Sequence, residues 1–406
     1  MDFQLTEEQT LIQDMARNFA ATELAPYSSK WDEEKFLDRD VFAKAAELGF
    51  LGIYTGEEHG GTALSRLDSA LVFEQLAAGD VSHTAMMTIH NMATWMIDRY
   101  ADDNLRAKYV PRLTAGELIA SYCLTEPGAG SDAASLSTKA VHDDDDYILN
   151  GTKTFISGAG WSDIYVVMAR TSDDGARGVS CFVVEKDMPG LSFGATEKKM
   201  GWNAQPTAQV IMEDCRIPAS AMLGASGQGF KIAMSVLDVF RSTVAAAALG
   251  FARRALDEAL TRVTTRHVQG APLFDLQMVQ GHIADMALDI DAAALLIYRA
   301  AWTKDSGAPR ITREAAMAKL FSTDQAQLVI DKAVQLHGGD GVKKGVKVEE
   351  LYRDIRALRI YEGASDVQRV VIAQALRSLL TTGCDRLDRR CHQALLAGFF
   401  KQRAGN

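Results

Sequence analysis

The chain has 406 residues, of which 47% are hydrophobic and 24% charged, a composition typical of a folded protein with two or three domains. Its formal net charge of -10 argues against a surface that binds nucleic acid or anionic lipid, because such surfaces need clustered lysine and arginine. The five cysteines are odd in number and include no CxxC pair, which favours reduced thiols over a disulfide framework or a zinc site.

Residues 1–120 are predicted to form a helical domain. Thr6 is a candidate N-cap with Gln9 three residues later, and Leu11, Met15 and Phe19 recur at four-residue spacing. The N-terminus lacks the basic and apolar regions of a signal peptide, and we expect no later stretch to be apolar for long enough to span a bilayer. These features favour a cytoplasmic protein without membrane contact.

Residues 121–230 change to short segments rich in β-branched and aromatic residues, typical of a small β-domain. Strands are predicted at 147–149, 164–168, 179–184 and 208–212. The four aspartates at 143–146 favour a solvated hairpin tip, because adjacent carboxylates repel each other. A calcium loop would need spaced ligands and a glycine, which this run does not have.

Helical periodicity returns at Lys231 and continues to residue 380. Two apolar stripes mark long helices, one at Ile232, Val236, Phe240, Val244, Ala248 and Phe251, the other at Val279, Ile283, Met286, Ile290, Ala293 and Ile297. Stripes of this length need partner helices, so we predict a four-helix bundle over 231–380, interrupted at Gly338–Gly339 and at Gly363. Residues 381–406 form a tail to which no role is assigned.

Glu362 is the best candidate for a catalytic base. It lies between Tyr361 and Gly363, and a carboxylate beside apolar bulk has a raised pKa, which suits proton removal near neutral pH. A Glu–Gly pair is also typical of an ordinary helix end or surface loop. This segment alone leaves both interpretations open.

A glycine-rich segment at 128–133 matches the GxGxxA form of the dinucleotide-binding fingerprint. Its context disfavours NAD, because a Rossmann turn needs a buried strand before it and a helix after it, whereas Glu126–Pro127 precedes and a strand-like segment follows. Such a loop at the entry to a β-domain can still bring backbone amides close to a flat, polar cofactor.

Metal and acyl-transfer chemistry have no support in the sequence. His267, His282 and His337 show no metal-ligand spacing, so we predict no metal site. Ser131 and Ser157 have no histidine and aspartate in a familiar triad order.

Three segments, at 122–132, 335–339 and 359–369, together resemble the acyl-CoA dehydrogenase family of flavoproteins, and the resemblance extends from about residue 5 to about residue 380. It implies a mainly α fold with a central β-domain: an N-terminal helical domain, a middle β-barrel or β-sandwich and a C-terminal four-helix bundle. It also implies FAD as cofactor, acyl-CoA as substrate, electron-transfer flavoprotein as electron acceptor, and a homotetramer built as a dimer of dimers.

The resemblance assigns site residues from all three segments and beyond them. Glu362 would be the catalytic base. Residues implied to bind FAD are Tyr122, Leu124, Thr125, Gly130, Ser131, Phe155, Ile156, Ser157, Arg266, Gln277, Gln335, Gly338, Gly339, Ala364, Ser365 and Asp366. Residues implied to bind the acyl-CoA are Ser131, Asp238, Arg241, Tyr361 and Gly363.

Three positions qualify these assignments. Arg241 could instead form an ordinary helical ion pair with Asp238. Gln269 stands where the family usually has an aromatic residue, and Gln374 where many relatives have an arginine that helps bind CoA.

The reaction implied is the introduction of a trans α,β double bond into an acyl-CoA. The N-terminal two thirds resemble family members that act on isobutyryl-CoA, and bulky Phe240 beside Arg241 suits a short chain. We therefore expect a short, possibly 2-methyl-branched acyl group, as in branched-chain amino acid catabolism. A straight short- or medium-chain substrate and an acyl-CoA oxidase reaction remain alternatives, since a fold does not fix its chemistry. A non-catalytic binding protein on this scaffold is a further alternative.

Overall fold

Helices dominate the first part of the chain. The computed structural model describes residues 4–381, and its first helices are α1 (Glu7–Phe19), α2 (Ser28–Glu34), α3 (Arg39–Glu47), α4 (Arg66–Gly79), α5 (Val81–Tyr100) and α6 (Asp103–Thr114). The predicted cap is confirmed: Thr6 accepts a hydrogen bond from the amide of Gln9, whose side chain accepts one in return from the amide of Thr6.

A mixed β-sheet follows the helices. Its strands are β1 (Ala120–Cys123), β2 (Lys139–Asp143), β3 (Asp146–Ser157), β4 (Ile164–Arg170), β5 (Val179–Glu185), β6 (Leu191–Phe193), β7 (Thr207–Pro218) and β8 (Met222–Leu223). The spatial order is β6-β7-β3-β2-β4-β5-β8, with β1 pairing in parallel with β4. The predicted hairpin tip is confirmed, because Asp143 pairs with Asp146 at the end of β2 and β3 and the two aspartates between them turn in solvent.

An irregularity in β3 determines where Phe155 points. The register against β7 shifts between Lys153 and Ile156, and Phe155 within this bulge has φ of 57°. A bulge redirects the side chain it carries. The ring of Phe155 is accordingly 67% exposed, although it belongs to a strand whose neighbouring residues Thr154 and Ile156 are buried.

The C-terminal part consists of long helices: α7 (Gly229–Thr265), α8 (Gln277–Asp305), α9 (Thr312–His337), α10 (Lys347–Leu358) and α11 (Ser365–Thr381). A short hairpin of β9 (His267–Val268) and β10 (Ala271–Pro272) joins α7 to α8. Both predicted interruptions are found, since α9 ends directly before Gly338 and Gly363 lies between α10 and α11. The predicted mainly α fold with a central β-domain is confirmed; the predicted tail beyond Thr381 lies outside the described residues.

Helix α7 corrects one expectation. By length and composition it could cross a membrane, with a mean hydropathy of 1.6 in its most apolar window, contrary to the expectation that no stretch could. However, 83% of that window is buried inside the protein, where α7 packs against α4, α8 and α9. Its apolar character is therefore that of a mostly buried core helix.

A buried ion pair fixes the glycine-rich segment that follows β1. Glu126 and Lys153 are 2.7 Å apart with almost no side-chain exposure, and Glu126 also accepts hydrogen bonds from the amides of Ser137 and Thr138. Burial favours the neutral acid, but Lys153 and these hydrogen bonds outweigh it and lower the pKa of Glu126 to about 2. Lys153 also donates to the carbonyl of Leu124 at 3.2 Å, so strand β3 holds the start of the segment.

We expect Lys153→Met to destabilise the protein by about 3–5 kcal/mol, because it leaves the Glu126 carboxylate buried without its cation. Chemical unfolding measures the change. Lys108→Met is the control: its 2.7 Å ion pair with Glu185 is exposed, so the loss should stay under about 1 kcal/mol. Equal losses in the two variants would contradict a structural role for the buried pair.

Candidate active site

The candidate base lies in a short loop, residues 359–364, between α10 and α11; we call it the base loop. Glu362 has φ of 53° and Gly363 has φ of 89°. A left-handed conformation costs a residue other than glycine on the order of 1 kcal/mol and persists only where the surroundings enforce it. The backbone at Glu362 is therefore held in place rather than relaxed.

The carboxylate of Glu362 is buried and unpaired. Neither of its oxygens has accessible surface or a hydrogen-bond partner among the described residues, although other parts of the residue are half-buried. Burial raises the pKa of Glu362 to about 7, with Lys319 and Arg241 acting in the opposite direction. A pKa near the working pH is the property that a general base requires.

Two buried donors hold the carbonyl that follows the base. Gly363 accepts one hydrogen bond from Lys319 Nζ at 2.9 Å and another from Gln368 Nε2 at 2.8 Å. Gln368 also donates to the carbonyl of Glu362 at 3.2 Å. The base loop is thus held from α9 on one side and from α11 on the other.

The ends of the base loop meet at Asp324 of α9. Its carboxylate accepts from Arg359 at 2.7 Å, from the hydroxyl of Ser365 at 2.9 Å and from Arg369 at 3.0 Å. Sequence reasoning missed both Asp324 and Lys319, because they lie in an amphipathic helix whose pattern does not distinguish them. The segment 359–369, which the sequence singled out, contains the partners Arg359, Ser365 and Arg369 of this network.

Tyr361 connects the base loop to the β-domain. Its ring meets the ring of Trp202 edge to face at 5.2 Å. Trp202 donates from its backbone amide to Asp354 Oδ1 at 2.6 Å and from its indole to the Asp354 carbonyl at 3.0 Å. The β6–β7 connection, α10 and the base loop therefore form one packed unit.

Arg241 of α7 lies close to the base. It is buried and forms the ion pair with Asp238 that its sequence position suggested, with Nη1 at 3.0 Å from Oδ1. Its Nε has no hydrogen-bond partner among the described residues. Burial raises the pKa values of Glu362 and Tyr122, and the charge of Arg241 opposes this rise in both. Helix α7, the base loop and β1 therefore converge here.

Tyr122 adds a third unpaired polar group at this point. Its hydroxyl is buried without a partner in the described part of the chain, and burial raises its pKa well above the usual value. Buried polar groups are normally hydrogen-bonded. Tyr122 Oη, Arg241 Nε and the Glu362 carboxylate together form a polar site suited to a ligand that supplies the missing partners.

The residues expected along the flavin lie at the edge of the β-domain. Leu124 and Ile156 are buried, Thr125 and Ser157 are half-buried, and Gly130 and Ser131 are exposed. A Cβ added at Gly130 would meet no atom within 4 Å, so this side of the loop is open. The exposed side chain of Phe155 adds an apolar surface beside them.

The same segment is not a Rossmann turn. Residues 128–132 lead into a short 3-10 turn at Ala133–Ser135 and then into β2, and no helix begins there. A Rossmann turn leads from a strand directly into a helix, so the local geometry of this segment differs from that of a Rossmann turn.

A second group of expected FAD contacts lies away from β1, at the ends of three helices. Arg266 ends α7, Gln277 begins α8, and Gln335, Gly338 and Gly339 lie at the end of α9; all are exposed. Arg262, which sequence reasoning missed, joins two of these ends. It donates to the His337 carbonyl at 3.3 Å and pairs with Asp340 at 2.9 Å.

The remaining assigned residues divide between the base loop and solvent. Ala364 and Ser365 follow Gly363 in the chain. The hydroxyl of Ser365 donates a hydrogen bond to Asp324, and Asp366 is exposed. Gln269, one of the departures from the family pattern, forms the two-residue turn of the β9–β10 hairpin with Gly270, both at positive φ. Gln374 is exposed on α11.

Among residues 4–381, no group of three or more histidine, cysteine, aspartate or glutamate side chains is arranged to hold a metal ion. His337 is buried, and its Nδ1 lies 2.8 Å from the carbonyl of Ala333 in its own helix. The free cysteines described, Cys123, Cys181 and Cys215, are buried, and Cys384 and Cys391 lie outside the described residues.

Three domain families match the chain in order. The N-terminal, middle and C-terminal domains of acyl-CoA dehydrogenase cover residues 6–117, 121–215 and 227–377. Mitochondrial isobutyryl-CoA dehydrogenase of Dictyostelium discoideum is 49% identical over 373 residues, which cover 92% of this chain and 90% of that protein.

Solved structures agree with this assignment. Butyryl-CoA dehydrogenase of Megasphaera elsdenii has a TM-score of 0.89 at 36% identity, over 93% of this chain and all of that one. PigA with FAD and proline has a TM-score of 0.90 at 31% identity, over 93% of this chain and 99% of that one. Together with the geometry around Glu362, these matches show that the chain belongs to the FAD-dependent acyl-CoA dehydrogenase family.

Proposed function

We propose that this enzyme removes the α- and β-hydrogens of a short, 2-methyl-branched acyl-CoA of the isobutyryl class and passes the electrons to electron-transfer flavoprotein. The observation that supports the reaction most strongly is the buried, unpaired carboxylate of Glu362 with a pKa of about 7. In this proposal Glu362 accepts the α-proton, and bound FAD supplies the acceptor for the β-hydrogen.

The α-proton of a thioester is weakly acidic, so its removal requires stabilisation of the carbonyl oxygen. The backbone amide of Glu362 has no acceptor among the described residues and is available to donate to that oxygen. The left-handed backbone at Glu362 fixes the direction of this amide relative to the carboxylate. We assign the amide to the oxyanion hole and Arg241 to the neighbouring acyl-CoA.

The substrate assignment rests on bulk near Arg241 and on the isobutyryl-CoA relative. Phe240 is fully buried, and Tyr54 meets its ring edge to face at 5.2 Å. We propose that these two adjacent rings bound the acyl pocket and so disfavour a long acyl chain. A straight short acyl group is the second candidate, because a structural relative is a butyryl-CoA dehydrogenase.

Assembly and location complete the proposal. Leu288 and Leu295 lie seven residues apart on α8, and Leu328 lies on α9; all three side chains are exposed. Exposed apolar surface of this kind supports association of the bundle with further copies. We propose a homotetramer, a dimer of dimers, in which the exposed residues near Arg266 and Gly338 contact FAD across a subunit interface. We also propose a cytoplasmic location.

Anaerobic mixing of the FAD-loaded protein with isobutyryl-, 2-methylbutyryl-, butyryl- and octanoyl-CoA tests the reaction and the substrate together. We expect isobutyryl-CoA to bleach the flavin band at about 450 nm fastest, and Glu362→Gln to abolish bleaching while the protein stays yellow. Fastest bleaching by butyryl-CoA would favour the second candidate. Rapid reoxidation by oxygen would indicate an oxidase, and no bleaching by any thioester would contradict the proposed reaction.

Phe155→Ala should weaken FAD retention several-fold with little effect on stability, because the residue is 67% exposed and its ring can pack against a flat cofactor. The ratio of flavin to protein after dialysis measures retention. Val141→Ala is the matched control, since Val141 is 58% exposed on the neighbouring β2. Equal retention in both variants would place the flavin elsewhere.

Glu362→Gln also reports burial of the base without any substrate. The pKa of Glu362 is about 7 when folded, against 4.5 for a free side chain, so the native state binds the proton more tightly and loses stability as the pH rises through this range. Glutamine carries no charge and avoids this loss of about 3 kcal/mol. The apo variant should unfold at higher denaturant than wild type at about pH 8 but not at about pH 5; an unchanged difference would contradict the raised pKa.

A further inference from the structure

Lys319 lies in the middle of α9, directly beneath the base loop. Its side chain has no exposed surface, and its Nζ donates to the carbonyl of Gly363 at 2.9 Å. We propose that Lys319 is a positioning residue that holds the base loop in its left-handed conformation and determines the pH range in which Glu362 is ionised. This inference rests on the proposed role of Glu362 as the base.

The partners of Lys319 are unusually few for a buried ammonium group. Among the described residues it forms no ion pair within 4.0 Å, and Gly363 is its one hydrogen-bond acceptor. Lys153, also a fully buried lysine, has both a carboxylate at 2.7 Å and a carbonyl at 3.2 Å. A buried charge without a close counterion is costly, and such groups cluster at functional sites.

The contacts of Lys319 influence the position of Glu362. The carbonyl that it binds belongs to Gly363, the residue bonded to Glu362, so movement of Lys319 shifts the immediate neighbour of the base. Asp324, five residues later on α9, holds Arg359 and Ser365 on either side of the same loop. Helix α9 therefore fixes the base loop at its centre and at both ends.

The charges around Lys319 explain its effect on ionisation. The anions near Lys319 are Glu362 and Asp324, and the cations near it are Arg241 of α7 and Arg359 of the base loop. The phenol groups of Tyr122 and Tyr361 lie close to Glu362. Burial lowers the pKa of Lys319 to about 8, with Glu362 acting to raise it. Lys319 is therefore mostly protonated near neutral pH.

The direction of the coupling follows from these signs. A protonated Lys319 stabilises the ionised form of Glu362 and so lowers its pKa against the effect of burial. Without the charge of Lys319, Arg241 still lowers the pKa of Glu362 against the effect of burial. The pKa of Glu362 then rises, and the base is ionised only at higher pH.

Two substitutions separate position from charge. Lys319→Gln keeps a hydrogen-bond donor near the Gly363 carbonyl but removes the charge, and Lys319→Met removes both. We expect both variants to move the acid limb of the pH profile for flavin reduction upward by about one pH unit or more. Only Lys319→Met should increase deuterium exchange in the peptide covering residues 359–368.

Lys304→Met is the matched control. Lys304 lies near the end of α8, is half-buried, and donates to the carbonyls of Ala308 at 3.0 Å and Pro309 at 3.2 Å, both outside the base loop. Its loss should leave both the acid limb and the exchange of residues 359–368 at their wild-type values.

A substrate-free measurement distinguishes failure of this inference from failure of the proposed function. Infrared difference titration of wild type against Glu362→Gln reads the protonation of the Glu362 carboxyl in each Lys319 variant, even where no thioester bleaches the flavin. An upward shift in that titration supports the inference. An unshifted titration, or loss of folding in both Lys319 variants while Lys304→Met folds, overturns it and makes Lys319 a purely structural residue.

Discussion

The organisation of the candidate active site depends on the carboxylate of Glu362, which is buried without a hydrogen-bond partner in the part of the chain that the structure describes. Such a group is unstable as an anion unless positive charge lies nearby, and unstable in position unless its backbone is constrained. Arg241 and Lys319 supply the charge from two different helices, and the base loop supplies the left-handed backbone. The packing of α7 against α9 is therefore a condition for the chemistry as well as for the core.

Most of the other polar anchors lie one layer behind the reacting groups. Asp324 holds the ends of the base loop, Lys153 holds Glu126 beneath the glycine-rich segment, and Asp354 holds Trp202 against Tyr361. A buried ion pair is weak evidence for stability but fixes a geometry, because only one arrangement satisfies its hydrogen bonds. Preorganisation of this kind allows binding energy to act on the reaction rather than on ordering the site.

The sequence predicted the parts of this protein that depend on periodicity and on order along the chain. The apolar stripes of α7 and α8, the hairpin tip at Asp143 and the breaks at Gly338 and Gly363 all follow from local patterns. Lys319 could not be found in this way, because its partner is a backbone carbonyl 44 residues away and a helical pattern does not record such contacts. The exposure of Phe155 was also hidden, since it arises from a register shift between β3 and β7.

The balance of forces on Glu362 has a kinetic meaning. A carboxylate with a pKa of about 7 instead of 4.5 is a stronger base by about 300-fold in proton affinity, but it is ionised in only about half of the molecules at neutral pH. Further burial would raise the pKa of Glu362, which makes the carboxylate a stronger base but lowers the fraction of molecules in which it is ionised. A closer ion pair would lower the pKa, which raises the ionised fraction but weakens the base. In the proposed reaction, Lys319 and Arg241 attract the carboxylate without hydrogen-bonding to it and place Glu362 between these limits, which suits removal of a weakly acidic α-proton.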